Sequence, residues 1–189
     1  MDDLKTPQIN DPVYTALFIL IKHRGKIETD QLELKLSYLY NLSFQEVRRW
    51  LGMMLNRGLI HIEKEYTEEY IRCLEEVKEN KRIKNKESYC GRKYPNPNII
   101  MITSRGLAYY IDKYIKLCIG LGNDEAYCYE DIHKWLCKIV NFKNCDHNIK
   151  QLVLCRHRVI RDRYPKECSE AWAWAGKILR EFTNIVNPE

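Results

Sequence analysis

No apolar run in this chain approaches the roughly 20 residues that a membrane-spanning helix needs, so no membrane association is expected. The N-terminal MDDLKTPQIN is polar and acidic, unlike a secretory signal. Both absences lead to the expectation of an intracellular, cytoplasmic protein. Glycine is scarce, at 8 residues, while isoleucine and tyrosine are frequent, a composition that does not predict disorder. The chain has no Gly-rich phosphate loop, no G-x-S-x-G and no H-E-x-x-H. His23, His61, His133, His147 and His157 stand apart, and His133 with Cys137, one helical turn on, lacks what a Cys–His nucleophile needs. The expectation is a protein that is not an enzyme and carries no cofactor.

A C-x-x-C pair is missing too. The eight cysteines (73, 90, 118, 128, 137, 145, 155 and 168) are scattered singly, which argues against a zinc ribbon or a thioredoxin-like site. They are read first as small core residues. The alternative is structural disulfides, which intracellular proteins of hyperthermophiles do carry. The stretch CDHNIKQLVLCRH holds Cys145, His147, Cys155 and His157, all residue types that bind zinc. Cys155 and His157 are two apart on an expected helix and point in different directions, so no metal is expected there.

What is present is positive charge, unevenly placed. The net charge is +5. Lys78 to Lys93 alone holds Lys78, Lys81, Arg82, Lys84, Lys86, Arg92 and Lys93 against Glu79 and Glu87, which equals the whole chain's excess. A second basic stretch, Lys150 to Lys166, holds Arg156, Arg158, Arg161 and Arg163 with Asp162 opposing. Such local fields suit a polyanionic partner; ordinary solvated surface is the bland alternative. Those four arginines could make a second nucleic-acid surface, but pairing of some of them with acidic residues of neighbouring helices is the expected use.

The 189 residues suffice for one or two domains with a real core. Asp11-Pro12 reads as an N-cap and first-turn proline, with Val13, Ala16, Leu17, Leu20 and Ile21 at helical spacing and Gly25 placed to end the helix. After the short Lys26-Ile27-Glu28, Thr29 caps a second helix with Leu32, Leu36 and Leu39 inside. Ser43 caps a third, with Glu46 as its capping-box partner. There Val47, Trp50, Leu51, Met54 and Leu55 make one apolar stripe, with Met53 near its border. Gln45, Arg48, Arg49, Gly52, Asn56 and Arg57 fall largely outside it. Leu59 to Ile62 reads as a strand. Residues 66–86 are either a helix capped by Thr67, with Tyr70, Ile71, Leu74 and Val77 inside, or a hairpin arm. Tyr89 to Asn98 reads as loop and Ile99 to Ile102 as strand. Thr103-Ser104 caps a long helix from Arg105 to Leu121, where Leu107, Ile111, Tyr114 and Cys118 recur at the spacing of a helix that pairs with another. Gly120 to Asn123 is the expected boundary, splitting a tail (1–10), a first domain (11–121) and a helical C-terminal domain (122–189). Three helices are expected beyond it: about Asp124 to Val140, His147 to Tyr164 and Ser169 to Val186. Turns fall at Asn141 to Asn144 and at Pro165, and Trp135, Trp172 and Trp174 supply core bulk.

That order resembles a winged helix-turn-helix of the MarR- and PadR-like regulators. GKIETDQLELKLS looks like the short strand and second helix, and SFQEVRRWLGMMLNRGLIHIE looks like the recognition helix and first wing strand. GRKYPNPNIIMITSRGLAYY is similar to the second wing strand and following helix, with Ile102-Thr103-Ser104-Arg105-Gly106 where those families carry a Leu-Thr-x-x-Gly type sequence. The likeness spans about Asp11 to Lys116. The Glu63 to Asn98 segment is longer than an ordinary wing, and nothing after Gly122 matches. The composition also resembles small regulators of archaeal viruses and plasmids.

The resemblance implies a mainly α (α+β) winged helix-turn-helix with a C-terminal three-helix extension that binds double-stranded DNA as a transcriptional regulator. Ser43, Gln45, Arg48, Arg49, Asn56 and Arg57 would meet the major groove. Lys81, Arg82, Lys84, Lys86, Arg92 and Lys93 would meet the adjacent backbone. Leu107, Ile111, Tyr114 and Cys118, or the C-terminal helices, would join two copies on half-sites about one helical turn apart. The alternatives are a docking module that uses the same third helix or the C-terminal helices on a protein, and an RNA or replication-origin binder that uses the C-terminal arginines.

Overall fold

Asp11 accepts hydrogen bonds from the amides of Val13 (3.0 Å) and Tyr14 (3.2 Å), and Pro12 opens α1 (Pro12–Lys22) as the sequence predicts. The structure, a computed structural model, describes residues 11–140 and 145–184. The expected tail at 1–10, the turn at 141–144, the helix end beyond 184 and the side chains of Trp135, Cys137 and Cys145 lie outside the described residues. α1 buries Val13, Ala16, Leu17, Leu20 and Ile21, as its spacing requires. β1 (Lys26–Glu28) follows, then α2 (Thr29–Tyr40). Thr29 does not cap α2. Its hydroxyl instead donates to the Asn98 carbonyl at 2.9 Å, and Glu28 occupies the N-cap position. Leu32 and Leu36 are buried, but Leu39 is exposed and Glu33 is buried.

α3 (Phe44–Asn56) starts from the full capping box: the Glu46 amide donates to Ser43 Oγ (3.3 Å), and the Ser43 amide donates to Glu46 Oε2 (2.8 Å). Val47, Leu51 and Met54 are its buried side. The stripe is narrower than expected, because Trp50 and Leu55 lie partly in solvent. Beyond it come β2 (Ile60–Lys64), α4 (Glu68–Glu76), α5 (Lys86–Lys93) and β3 (Asn98–Ile102). The strands form one small antiparallel sheet in the order β1-β3-β2, with Ile60 opposite Ile102 and Ile27 opposite Ile100.

Residues 66–86 take the helical alternative, and Thr67 caps α4 by accepting from the Tyr70 amide at 3.2 Å. Part of the expected loop at Tyr89 to Asn98 is helix, since Asn85 caps α5 through the Ser88 amide. A Cys73–Cys90 disulfide joins α4 to α5 around Tyr70, with Leu74, Val77 and Tyr94 packed beside it. This insert has its own minimal core.

α6 (Ser104–Gly120) is capped by Thr103. It is followed by α7 (Glu125–Val140), α8 (Cys145–Leu154), α9 (Arg158–Arg163) and α10 (Pro165–Asn184). The helix expected from His147 to Tyr164 is broken at 155–157, and Pro165 starts a helix rather than separating two, which its fixed φ and missing amide allow at a first position. One cluster of buried residues runs from α1 through α6 into Ile132, Leu152, Trp174 and Ile178. The core therefore continues across Gly120 to Asn123.

Two expectations are corrected here. Cys118–Cys128 and Cys155–Cys168 are disulfides, as is Cys73–Cys90, so these six cysteines are bridged rather than simple core thiols. The proposed pairing stripe lies inside the chain. Leu107 and Ile111 are fully buried, Cys118 is bridged, and the Tyr114 hydroxyl donates to Asp131 of α7. α6 does pair with helices, but with helices of its own chain.

Candidate nucleic-acid interface

Gln45, Arg48, Arg49 and Asn56 all stand in solvent on α3, opposite the buried Val47, Leu51 and Met54. Ser43 is also exposed, but its hydroxyl is committed to the cap, where it donates to Glu46 at 2.7 Å. Those hydrogen bonds hold the Glu46 carboxyl below its usual range. Arg48 is only partly free. Its Nε donates to both Glu33 oxygens, at 3.0 and 3.2 Å, from a carboxylate that α2 keeps buried. The bond and the facing charge push Arg48 further into its cationic form. Yet 67% of the Arg48 side chain remains exposed. Glu33 thus fixes the guanidinium's orientation and leaves its outer edge to solvent. It also ties α2 to α3, a contact between residues 15 apart that sequence spacing does not reveal.

The face is not purely polar. Trp50, Met53 and Leu55 are exposed along α3, and Leu34, Tyr38 and Leu39 along α2.

The insert gathers most of the predicted backbone contacts. Arg82, Lys84, Arg92 and Lys93 line one shallow hollow of about 680 Å³ together with Ser88 and Tyr89. Lys81 is exposed beside them, whereas the Lys86 ammonium turns back to donate to the Lys78 carbonyl. α4 carries Glu68, Glu69, Glu75 and Glu76 in solvent, so the two helices of the insert present charges of opposite sign.

Arg57 is placed differently from its expected companions. It caps the end of α3, and its guanidinium lies 5.1 Å from the centre of the Tyr109 ring on α6. The local chain explains this. Gly58 takes φ +68°, and Thr103 Oγ1 donates to its carbonyl at 2.6 Å while the Thr103 amide donates to that of Leu59. The start of α6 is thereby locked onto the turn after α3. A cavity of about 440 Å³ results, lined by Arg57, Leu59, Arg105, Tyr109, Arg156, Arg161 and Trp172. Of these only Arg57, Arg156 and Arg161 were expected from the sequence to meet a polyanion, while Trp172 was expected to supply core bulk. Arg105 had a signal: it is a basic residue in the first turn of a long helix, where acids are favoured.

Among the C-terminal arginines, Arg156 pairs with the buried Asp112 of α6, as expected of some of them, and Arg158 meets Asp162 on its own helix at 3.6 Å. Arg163 lies over Tyr164. Cys155 of the suspected metal-binding stretch is bridged to Cys168. Among the described residues no group of three His, Cys, Asp or Glu side chains is arranged to hold a metal ion, and no helix is long and apolar enough to cross a membrane. Compared with protein families, with curated proteins and with solved structures, the chain matches none of them.

Proposed function

We propose that the protein binds double-stranded DNA in the manner of a winged helix-turn-helix transcriptional regulator, with α3 in the major groove. The observation that carries this reading is the outer face of α3. Gln45, Arg48, Arg49 and Asn56 present amides and guanidiniums on a helix anchored from behind by Val47, Leu51 and Met54. Amide and guanidinium groups are the ones that read base edges bidentately. The order α1-β1-α2-α3-β2-insert-β3 and the three-stranded sheet agree with the winged-helix reading. In place of an ordinary wing the bridged α4–α5 insert would lay Arg82, Lys84, Arg92 and Lys93 on adjacent phosphates.

Fluorescence anisotropy of a labelled duplex at several salt concentrations tests this. The expected result is binding with log affinity falling against log salt by about 0.9 per neutralised phosphate. Arg49→Ala should abolish measurable binding at physiological salt with an unchanged melting temperature. Negligible affinity even at low salt would remove the DNA reading.

One observation favours a second reading, a protein-docking module. The exposed Leu34, Tyr38, Leu39, Trp50, Met53 and Leu55 give α2 and α3 more apolar surface than a groove-reading face needs. Under that reading Arg49→Ala leaves the protein's interactions intact, whereas Tyr38→Ser with Leu39→Ser abolishes them. Two-copy DNA binding gains nothing from the α6 stripe and would have to use another surface.

A further inference from the structure

The cavity at the end of α3 holds more positive charge than the carboxylates described around it balance. Four guanidiniums line it. Arg156 alone among them has a carboxylate partner among the described residues, and that partner, Asp112, is shared with Lys116 at 3.0 Å. Arg57 and Arg105 are exposed and have no ion pair among the described residues. Arg161 is held by carbonyls, donating to those of Cys155 (3.2 Å) and Arg156 (2.8 Å). The Arg57 and Arg156 guanidiniums lie 5.1 and 4.8 Å from one ring centre, Tyr109, so at most the sum of those distances separates them. Arg105 sits in α6, whose first turn contains no acidic residue, so the positive end of that helix dipole adds to the field. Like charges gathered in a recess repel one another, and an anion bound among them relieves that repulsion.

We propose that this cavity binds a small polyphosphorylated ligand, in class a nucleoside di- or triphosphate. Guanidinium forks match phosphate oxygens two at a time, and about three uncompensated charges suit a polyphosphate better than a single phosphate. The volume of about 440 Å³ falls within the roughly 300–1,000 Å³ of small-molecule sites. Inorganic phosphate would leave most of that space empty. Trp172, half-buried in the wall, offers an aromatic surface to a planar base. The walls come from the end of α3, the start of α6, the corner between α8 and α9, and α10, so one ligand touches both halves of the chain.

Calorimetric titration of the full, oxidised chain with ADP, pyrophosphate and adenosine tests the proposal without any duplex present, so its failure is separable from that of the DNA reading. ADP and pyrophosphate should bind saturably, ADP more tightly, and adenosine should not. Arg105→Gln and Arg161→Gln should each weaken ADP at least about tenfold, the loss of a charge-assisted hydrogen bond, while Lys35→Gln on α2 changes nothing. Among the described residues neither arginine has a carboxylate partner, so neither substitution strands a buried carboxylate there; if one variant unfolds, the other decides. Absence of saturable binding by ADP and pyrophosphate overturns the proposal, as does ADP binding that both variants leave intact. If ADP does not bind but both variants weaken duplex binding, the cavity serves a phosphate of the DNA backbone, and the small-ligand assignment is wrong.

Discussion

Gly106 shows how tightly single positions are constrained. A Cβ there would stand 2.1 Å from the Leu59 carbonyl oxygen and 2.9 Å from a side-chain carbon of Ile102. Backbone cannot yield as a side chain can, so Gly106→Ala should cost about 3 kcal/mol, toward the upper end for overpacking, and lower the melting temperature by roughly 6–12 °C. A melting temperature within a degree of the parent would contradict that geometry. Tyr14, Tyr110 and Tyr114 form a second constraint at the contact of α1 with α6, where Tyr14 stacks on Tyr110 and Tyr114 lies tilted against it. Burial, the largest cause for each, pushes all three above the ordinary phenol value of 10.0. The folded chain therefore keeps protons that the unfolded chain releases near pH 10. Stability from this cluster is complete below that pH and declines as pH rises past it. The denaturant midpoint should fall steadily above about pH 10, with tyrosinate absorbance rising as the chain unfolds. Full titration of every tyrosine while the fold persists would refute the assignment.

Elements were legible where caps and periodicity agree. Asp11-Pro12, the Ser43–Glu46 box and Thr103 each start a helix where their local chemistry demands it. Elements set by long-range partners were not. Thr29 looked like a cap because nothing local reveals that the Asn98 carbonyl lies within its reach. Cysteine spacing could not tell a thiol from a bridge, and the α4–α5 insert is shaped by its bridge. As for the candidate interface, the outer polar face of α3 was readable from a 3.6-residue period, but the turn of Arg57 toward Tyr109 depends on how Gly58 and Thr103 dock two distant segments. Cys73→Ser with Cys90→Ser removes a 17-residue crosslink, worth about 3 kcal/mol by loop closure. The loss should appear as faster amide exchange confined to residues 66–94, with protection of α1 and α6 retained. Equal loosening of α1 would mean that the insert supports the main core.

At the scale of the whole molecule, α6 is the shared wall. Its buried side faces α1 as well as the C-terminal helices, so the buried core runs on across the glycines that suggested a boundary. Residues 11–121 alone would expose the side of α6 that Ile132, Leu152 and Ile178 now help to cover. That fragment should aggregate or lack cooperative melting, measured by circular dichroism and gel filtration; a monomeric fragment with a sharp transition would show two independent units. The disulfides require surroundings that keep thiols oxidised, which oxidising compartments and the interiors of hyperthermophiles both provide. Each described bridge joins cysteines no more than 17 positions apart. Loops this short cost little entropy to close. Chain statistics alone favour Cys73 finding Cys90 over Cys168 by roughly tenfold, whereas Cys128 stands nearer in sequence to Cys137 than to its partner Cys118, so proximity selects the bridge of the insert and the folded helices must select the bridge between α6 and α7.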